Sequence, residues 1–268
     1  MRWPLDHLTA QHRAGPPRTR CVLEPTTALV VVAVALLASA AQGLTGFGFA
    51  LVIVPFLLLA VDVRETVVIS TLLGIASTAL LMVRMRRHVP WPLTLRLLAG
   101  SVAGMPAGLA VLLFVPEQAL RLAVAVIALA MVAAMAAGTR LRDSGPKGEL
   151  AVGLVAGVLR TSTGMPGPPV VLYLQGTGYK PHEFRAALSV FFLLGSVISL
   201  AAFAGTNLVT QDALAVSALA LPAVVVGNWT GDRLLGMVDP TLFGRIVLLL
   251  LAVTALTAVA TSVVRLVG

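Results

Sequence analysis

The sequence predicts an all-α polytopic membrane protein built from two repeats that are inverted relative to each other. Three observations predict it: the chain is too apolar for a soluble domain, motifs of its first half return in its second, and each half begins with a broken pair of short apolar segments. Of the 268 residues, 58% are hydrophobic and only 11% are charged. Soluble domains carry about 25% charged residues.

The composition also excludes several functional classes. The formal net charge is +8, but the basic residues lie in short loops between apolar runs, as orientation signals do, so no nucleic-acid partner is expected. The single cysteine, Cys21, excludes an internal disulfide and a cysteine-based metal site. The apolar segments contain no carboxylate pair, Ser–His pair or HExxH motif, so we expect no enzyme activity, no metal and no cofactor.

The domain organisation is simple. Residues 1–26 are polar and are predicted to form a disordered tail, while residues 27–268 form one transmembrane transport domain. Residues 28–43, with Ala-Ser-Ala at 38–40, are similar to a secretory signal and its cleavage site. We reject cleavage because this segment has a counterpart in the second half of the chain.

The two halves match in order along the chain. Thr-Gly-Phe-Gly at 45–48 is echoed by Thr-Gly-Met-Pro-Gly at 163–167, so that Gly46 corresponds to Gly164 (164 − 46 = 118). Gly-Met-Pro-Ala-Gly at 104–108 is echoed by Gly-Asn-Trp-Thr-Gly at 227–231 (227 − 104 = 123). Two matches in order indicate a duplication, with repeat 1 at about 27–138 and repeat 2 at about 149–267.

Each half is predicted to contain a broken pair of short segments followed by three long ones, which gives eight to ten helical membrane segments. An arm as short as 168–176 cannot cross a core of about 30 Å at about 1.5 Å per residue. We therefore expect each broken pair to be a helical hairpin with its tip at depth. The predicted segments are 28–43, 46–60, 66–83, 93–114 and 118–138 in the first half, and 149–163, 168–176, 184–204, 210–230 and 241–266 in the second.

A hairpin followed by three spans brings the chain to the opposite side, so the second half would be inverted. This arrangement places both termini outside and the Arg84–His88 loop in the cytoplasm with most other basic loop residues. The four arginines of the tail oppose it. In the alternative, each broken pair crosses once, the repeats are parallel, and twice as many basic residues lie inside as outside. We favour the inverted arrangement because residues 28–60 are too long for one crossing.

Arg160 is the only charge deep inside an apolar segment, and it directly precedes the second predicted break. A charge at such depth costs about 2.5–3.5 kcal/mol on insertion scales, so it is rare without a partner or a wet cavity. No carboxylate lies within ten residues of it on either side. An embedded cation beside hydroxyl groups and a helix break is what a site for a small anion needs.

The two breaks are predicted to line that site. Irregular backbone at depth must be buried or line a cavity, and matching interrupted segments mark the substrate site in secondary transporters. Helix N-termini offer free N–H groups to anions, and glycines let the backbone approach a ligand. The predicted substrate-binding residues are Gln42, Thr45, Gly46, Phe47, Gly48, Arg160, Thr161, Ser162, Thr163, Gly164, Gly167 and Pro168.

A structural alternative exists for each of these residues. The glycines suit tight turns, the hydroxyl groups can bond back to carbonyls of their own helix, and Phe47 suits packing. Arg160 can cap backbone carbonyls at the end of a hairpin arm. These alternatives stay open from the sequence alone.

At these residues the chain resembles the sulfite exporter TauE/SafE family, also called the 4-toluene sulfonate uptake family of permeases. The resemblance rests on Gly-Leu-Thr-Gly-Phe-Gly-Phe-Ala-Leu-Val-Ile-Val-Pro at 43–55, on Ser-Thr-Gly-Met-Pro-Gly-Pro-Pro-Val-Val-Leu-Tyr-Leu at 162–174, and on Phe-Arg-Ala at 184–186. It implies a multi-pass carrier of the bacterial or archaeal cytoplasmic membrane for sulfite, sulfonates, sulfoacetate or similar anions. Gly-Phe-Gly-Phe replaces a run of three glycines, and Met165-Pro166 interrupts the second motif.

The resulting expectation is a permease that moves a small sulfur-containing anion by alternating access, with the substrate held between the two tips near the midplane. The alternative is an anion channel or facilitator without ion coupling. The expected partners are the anion, the lipid bilayer and a coupling proton or Na⁺. The direction of transport, the coupling ion and the oligomeric state are not readable from the sequence.

Overall fold

The computed structural model describes residues 24–139, 141 and 144–234, and within them the chain is helical and contains no strand. Most of the predicted tail and the predicted segment 241–266 lie outside the described residues. The helices are α1 Pro25–Thr45, α2 Phe49–Leu57, α3 Val63–Met85, α4 Trp91–Phe114, α5 Glu117–Ala136, α6 Gly145–Thr163, α7 Gly167–Gly176, α8 Pro181–Gly205 and α9 Gln211–Leu234, with a 3₁₀ turn at Arg86–His88.

Five of the described helices are long and apolar enough to cross a membrane: α1, α4, α8, α9 and residues Val63–Val83 of α3. This finding agrees with the predicted polytopic membrane protein. Helix α1 is longer than the predicted arm 28–43 because Pro25 starts it earlier and because it continues through Gly43 to Thr45. Proline suits the first helical turn, where its missing N–H would be unpaired anyway.

Both predicted breaks occur at a glycine in the left-handed conformation. Gly46 ends α1 with φ 81°, and Gly164 ends α6 with φ 73°. Left-handed backbone is strained for residues with a Cβ atom, which explains glycine at both positions. The chain then restarts as the short helices α2, of 9 residues, and α7, of 10 residues.

Glycines bring two helix pairs into close backbone contact. A Cβ atom at Gly104 of α4 would overlap the Leu154 carbonyl of α6, and one at Gly108 would overlap that of Val158. Because the contact advances by four residues on both helices, α4 and α6 run parallel. Small residues allow such close packing in membranes, where no water drives helices together.

The α1–α9 pair repeats this geometry in the other half. A Cβ atom at Gly227 would overlap the carbonyl of Leu36, and one at Gly231 would overlap that of Ala40. Helices α1 and α9 are therefore parallel as well. In each case the first helix of one half of the chain packs against the fourth helix of the other half.

Helices α3 and α8 pack against each other in opposite directions. The His88 ring, just after the end of α3, lies 4.7 Å from the His182 ring at the start of α8. Helix α9 runs parallel to α3, because the ends of both helices reach the start of α8: Asp232 of α9 lies 4.0 Å from Arg185, and His88 after α3 lies beside His182. Helices α1, α3 and α9 therefore share one direction.

Candidate functional site

A cavity of about 50 Å³ lies between the two breaks and helices α3 and α8. One water needs about 10–15 Å³ by the same measure, so the cavity has room for roughly three or four waters or a comparably small anion. The lining residues are Gln42, Phe47, Gly48, Phe49, Ala50, Leu51, Ser70, Thr71, Gly74, Thr78, Arg160, Gly164, Met165, Pro166, Gly167, Pro168, Phe192 and Ser196.

The lining is drawn from equivalent positions of the two halves. The 118-residue offset between Gly46 and Gly164 also relates most of the residues that line the cavity. The cavity therefore lies where the two halves meet. The related pairs are Gln42 and Arg160, Phe47 and Met165, Gly48 and Pro166, Phe49 and Gly167, Ala50 and Pro168, Gly74 and Phe192, and Thr78 and Ser196.

Arg160 is held against α8 and is only 2% exposed. Its Nη1 donates to the Phe192 carbonyl at 3.3 Å and to the Ser196 hydroxyl at 3.2 Å, and its Nη2 donates to the Phe191 carbonyl at 3.2 Å. Its Nε is buried and has no hydrogen-bond partner in the described part of the chain. No carboxylate among the described residues pairs with it, so hydrogen bonds to neutral groups hold a guanidinium whose charge is not compensated.

Gly195 makes room for this guanidinium. A Cβ atom at position 195 would lie 2.5 Å from Nη2 and 2.8 Å from Nη1 of Arg160, which is closer than real Cβ contacts. The guanidinium also lies 4.8 Å from the centre of the Phe191 ring, within the range of a cation–π contact. The arginine side chain is therefore fixed by the shape of α8 as well as by hydrogen bonds.

The N-termini of the two short helices border the cavity, and they differ in their free N–H groups. In α2 the first N–H with a backbone partner is that of Val52, which donates to the Gly48 carbonyl at 3.0 Å. The N–H groups of residues 49–51 precede it, and such groups have no acceptor within their own helix. In α7 residues 168 and 169 are prolines and lack an N–H group. The start of α7 therefore offers fewer backbone donors than the start of α2, and the second half adds the guanidinium of Arg160.

Gln42 occupies the position equivalent to Arg160 and also lines the cavity. It is 1% exposed, and its Oε1 accepts a hydrogen bond from the Ser77 hydroxyl at 2.5 Å. A neutral amide in one half therefore faces the same cavity as a guanidinium in the other half. The two halves therefore contribute equivalent positions to the cavity, but only the second half contributes a charged side chain at this pair of positions.

Seven of the twelve predicted site residues line the cavity: Gln42, Phe47, Gly48, Arg160, Gly164, Gly167 and Pro168. The other five are engaged elsewhere. Gly46 packs under Arg185, whose Nη2 donates to the Gly43 carbonyl at 2.8 Å. The hydroxyl groups of Thr45, Ser162 and Thr163 donate to carbonyls of their own helices, as in the structural alternative. The Thr161 hydroxyl instead donates to the Met105 carbonyl of α4 at 2.8 Å.

The sequence reasoning missed the cavity-lining residues that α3 and α8 contribute. Ser70, Thr71, Gly74 and Thr78 of α3 line the cavity together with Ser196 of α8. Their spacing of three or four residues puts the α3 residues on one face of the helix, and this small and polar face within an apolar span was the available signal. Ser196 follows Ser189 by seven residues and precedes Ser199 by three on α8, which is a sparser pattern of the same kind.

A helical membrane protein with a buried cation in a cavity between two matching halves has the architecture of a membrane transporter. The chain belongs to the sulfite exporter TauE/SafE family, whose model matches residues 31–258. It is similar to a protein of Cupriavidus necator called "Probable sulfite/organosulfonate exporter TauE", with 23% identity over 199 residues, which cover 72% of this chain and 78% of that protein. No solved structure showed a significant match.

Proposed function

We propose that this protein moves a small sulfur-containing anion, such as sulfite, a sulfonate or sulfoacetate, across the cytoplasmic membrane by alternating access. The substrate binds in the cavity between the two breaks. The observation that carries the proposal is Arg160, a buried cation that lines this cavity and has no carboxylate partner among the described residues. The family match and the name of the relative support the class of substrate.

The electrostatics of the cavity favour an anion. An anion beside Arg160 offsets the cost of holding that charge away from water, and the N-terminal end of α2 adds partial positive charge and free N–H groups. The guanidinium suits sulfite and sulfonate oxygens because its donors lie in one plane and can bind two oxygens together. A cavity of about 50 Å³ fits sulfite or the head group of a sulfonate.

Alternating access requires two halves that can move around one site. The directions of the helices support inverted halves, because the equivalent helices α3 and α8 run in opposite directions. Since α1 and α3 run in the same direction, we propose that α2 returns the chain to the side from which α1 entered, which makes the first broken pair a hairpin. The channel alternative is not favoured, because the family is one of exporters.

The test is a pair of substitutions at Arg160 with binding and melting measured on each purified variant. We expect Arg160→Ala to weaken sulfite binding about tenfold to a hundredfold, the range for a hydrogen bond to a charged group. Arg160→Lys should recover only part of the affinity, because a point charge replaces the planar donors. Isothermal titration with sodium sulfite under nitrogen gives the affinity.

Arg121→Ala is the matched control. Arg121 is also an arginine that donates to backbone carbonyls, those of Leu58 and Val61, but it does not line the cavity. We expect Arg121→Ala to lower the melting temperature and leave sulfite binding unchanged. If Arg160→Ala behaves like this control, Arg160 is a structural residue and the proposed binding site is wrong.

A further inference from the structure

We infer that Ser77 and Asn228 are positioning residues that fix the Gln42 amide so that its Nε2 donors face the bound anion. This inference rests on the proposed function and adds a second, neutral anion-binding group opposite Arg160. The three side chains form a buried chain of hydrogen bonds from α9 through α3 to α1, with exposures of 7% for Asn228, 0% for Ser77 and 1% for Gln42. The direction of each hydrogen bond follows from its partners.

The Asn228 amide has one defined orientation. Its Nδ2 lies 3.2 Å from the Val224 carbonyl oxygen and 2.8 Å from the Ser77 hydroxyl oxygen. A carbonyl oxygen can only accept, so the atom of Asn228 facing it must be the nitrogen. Asn228 therefore donates to Ser77 as well.

The partners of the Ser77 hydroxyl then decide which acceptor receives its proton. Other hydroxyl groups on α3 donate to carbonyls of their own helix: Ser70 and Thr71 donate to Val67, and Thr78 donates to Gly74. Ser77 makes no such bond within the described residues, and its hydroxyl instead lies 2.5 Å from Gln42 Oε1. Because Ser77 receives a proton from Asn228 and has one of its own to give, it donates to Gln42.

The orientation of the Gln42 amide follows. Oε1 is bound to Ser77, and Gln42 lines the cavity. The Nε2 donor is therefore the atom of the amide that can bind a ligand there. Nε2 has no protein acceptor in the described part of the chain. The opposite orientation would present a carbonyl oxygen to the anion, which is repulsive.

The experiment is a double-mutant cycle on sulfite affinity, measured by isothermal titration with the purified full-length protein. We expect Ser77→Ala to weaken binding about threefold to tenfold, because an amide that is no longer held loses its preference for the donor orientation. In a Gln42→Leu background, Ser77→Ala should have almost no further effect, since there is no amide to orient. Equal losses in both backgrounds overturn the inference, as does normal binding by Ser77→Ala.

Ser199→Ala is the matched control, because Ser199 is a fully buried serine of α8 that bonds to carbonyls of its own helix and does not line the cavity. It should bind sulfite like the parent protein. If Ser77→Ala fails to fold, Asn228→Leu removes the donor to Ser77 and should show the same dependence on Gln42.

Arg160→Ala measured in the same series separates this inference from the proposed function. Loss of binding in Arg160→Ala together with normal binding in Ser77→Ala overturns only the role of the hydrogen-bond chain. Normal binding in Arg160→Ala overturns the proposed site itself.

Discussion

Gly195 is the residue that leaves space for the Arg160 guanidinium, so we expect Gly195→Ala to displace it. The added Cβ atom would lie 2.5 Å from Nη2 of Arg160. Because affinity depends on where the charge lies, sulfite binding should weaken about tenfold, the effect of roughly 1.4 kcal/mol. Gly205→Ala is the control on the same helix, since a Cβ atom there meets nothing within 4 Å. Equal sulfite affinity in the two variants, measured by titration, would contradict this account of the arginine.

Gly46 combines left-handed backbone with a close neighbour, and the two effects are separable. Gly46→Ala should destabilise the protein by about 1–2 kcal/mol through its φ of 81°. The free energy of unfolding of this variant should fall further, because the new Cβ atom would lie 2.6 Å from Cγ of Arg185. Gly178→Ala provides the backbone effect alone, because Gly178 has φ 73° and no neighbour within 4 Å. Thermal melting in detergent should therefore rank Gly46→Ala below Gly178→Ala.

Individual residues were predictable where the residue type conflicts with its surroundings in the sequence. Arg160 is a charge within an apolar segment, and the glycines of the breaks belong to a motif of the first half that returns in the second, so the sequence alone predicts both. Ser77 and Asn228 are ordinary small and polar residues 151 positions apart, and nothing local marks either of them. Only the packing of α3 against α9 brings them together, so their role needed the structure.

At the scale of helices, the two parallel glycine-lined interfaces, α4–α6 and α1–α9, should contribute similarly to the stability of the protein. We expect Gly104→Ala in α4 and Gly227→Ala in α9 each to destabilise the protein by about 1–3 kcal/mol, the usual cost of overpacking. Each new Cβ atom would overlap a carbonyl oxygen of the partner helix, that of Leu154 or that of Leu36. Melting of both variants beside Gly205→Ala tests this. A neutral result for either one means that its helix pair can separate without loss.

The extents of the helices were predictable to within a few residues because glycine and proline end helices by local chemistry. Helices α4, α5 and α7 begin and end close to the predicted 93–114, 118–138 and 168–176. Helix α1 exceeds its prediction because the predicted arm ends at Gly43, although this glycine lies inside the helix and packs closely on the Asn228 carbonyl. A glycine that serves close packing and a glycine that ends a helix look alike in a sequence.

For the whole molecule we expect the two ends of α8 to lie on opposite faces of the membrane. The helix has 25 residues and is about 37 Å long, which exceeds a hydrocarbon core of about 30 Å. Single cysteines at positions 88 and 207 in a Cys21→Ser background mark these ends, since His88 contacts the start of α8 and Asn207 follows its last turn. A membrane-impermeant maleimide should label them from opposite sides. Labelling of both from one side would contradict the arrangement of the spans.

The exchange of helices between the two halves also constrains the order in which the protein assembles during synthesis. Helix α1 ends at Thr45, but its partner α9 begins only at Gln211. At about 5–20 residues per second, the ribosome needs roughly ten to thirty seconds to make the intervening chain. Throughout that interval the small-residue face of α1 is in the membrane without its partner helix α9. The first half therefore cannot complete its own packing, and the nascent protein depends on the second half to bury a surface that was synthesised first.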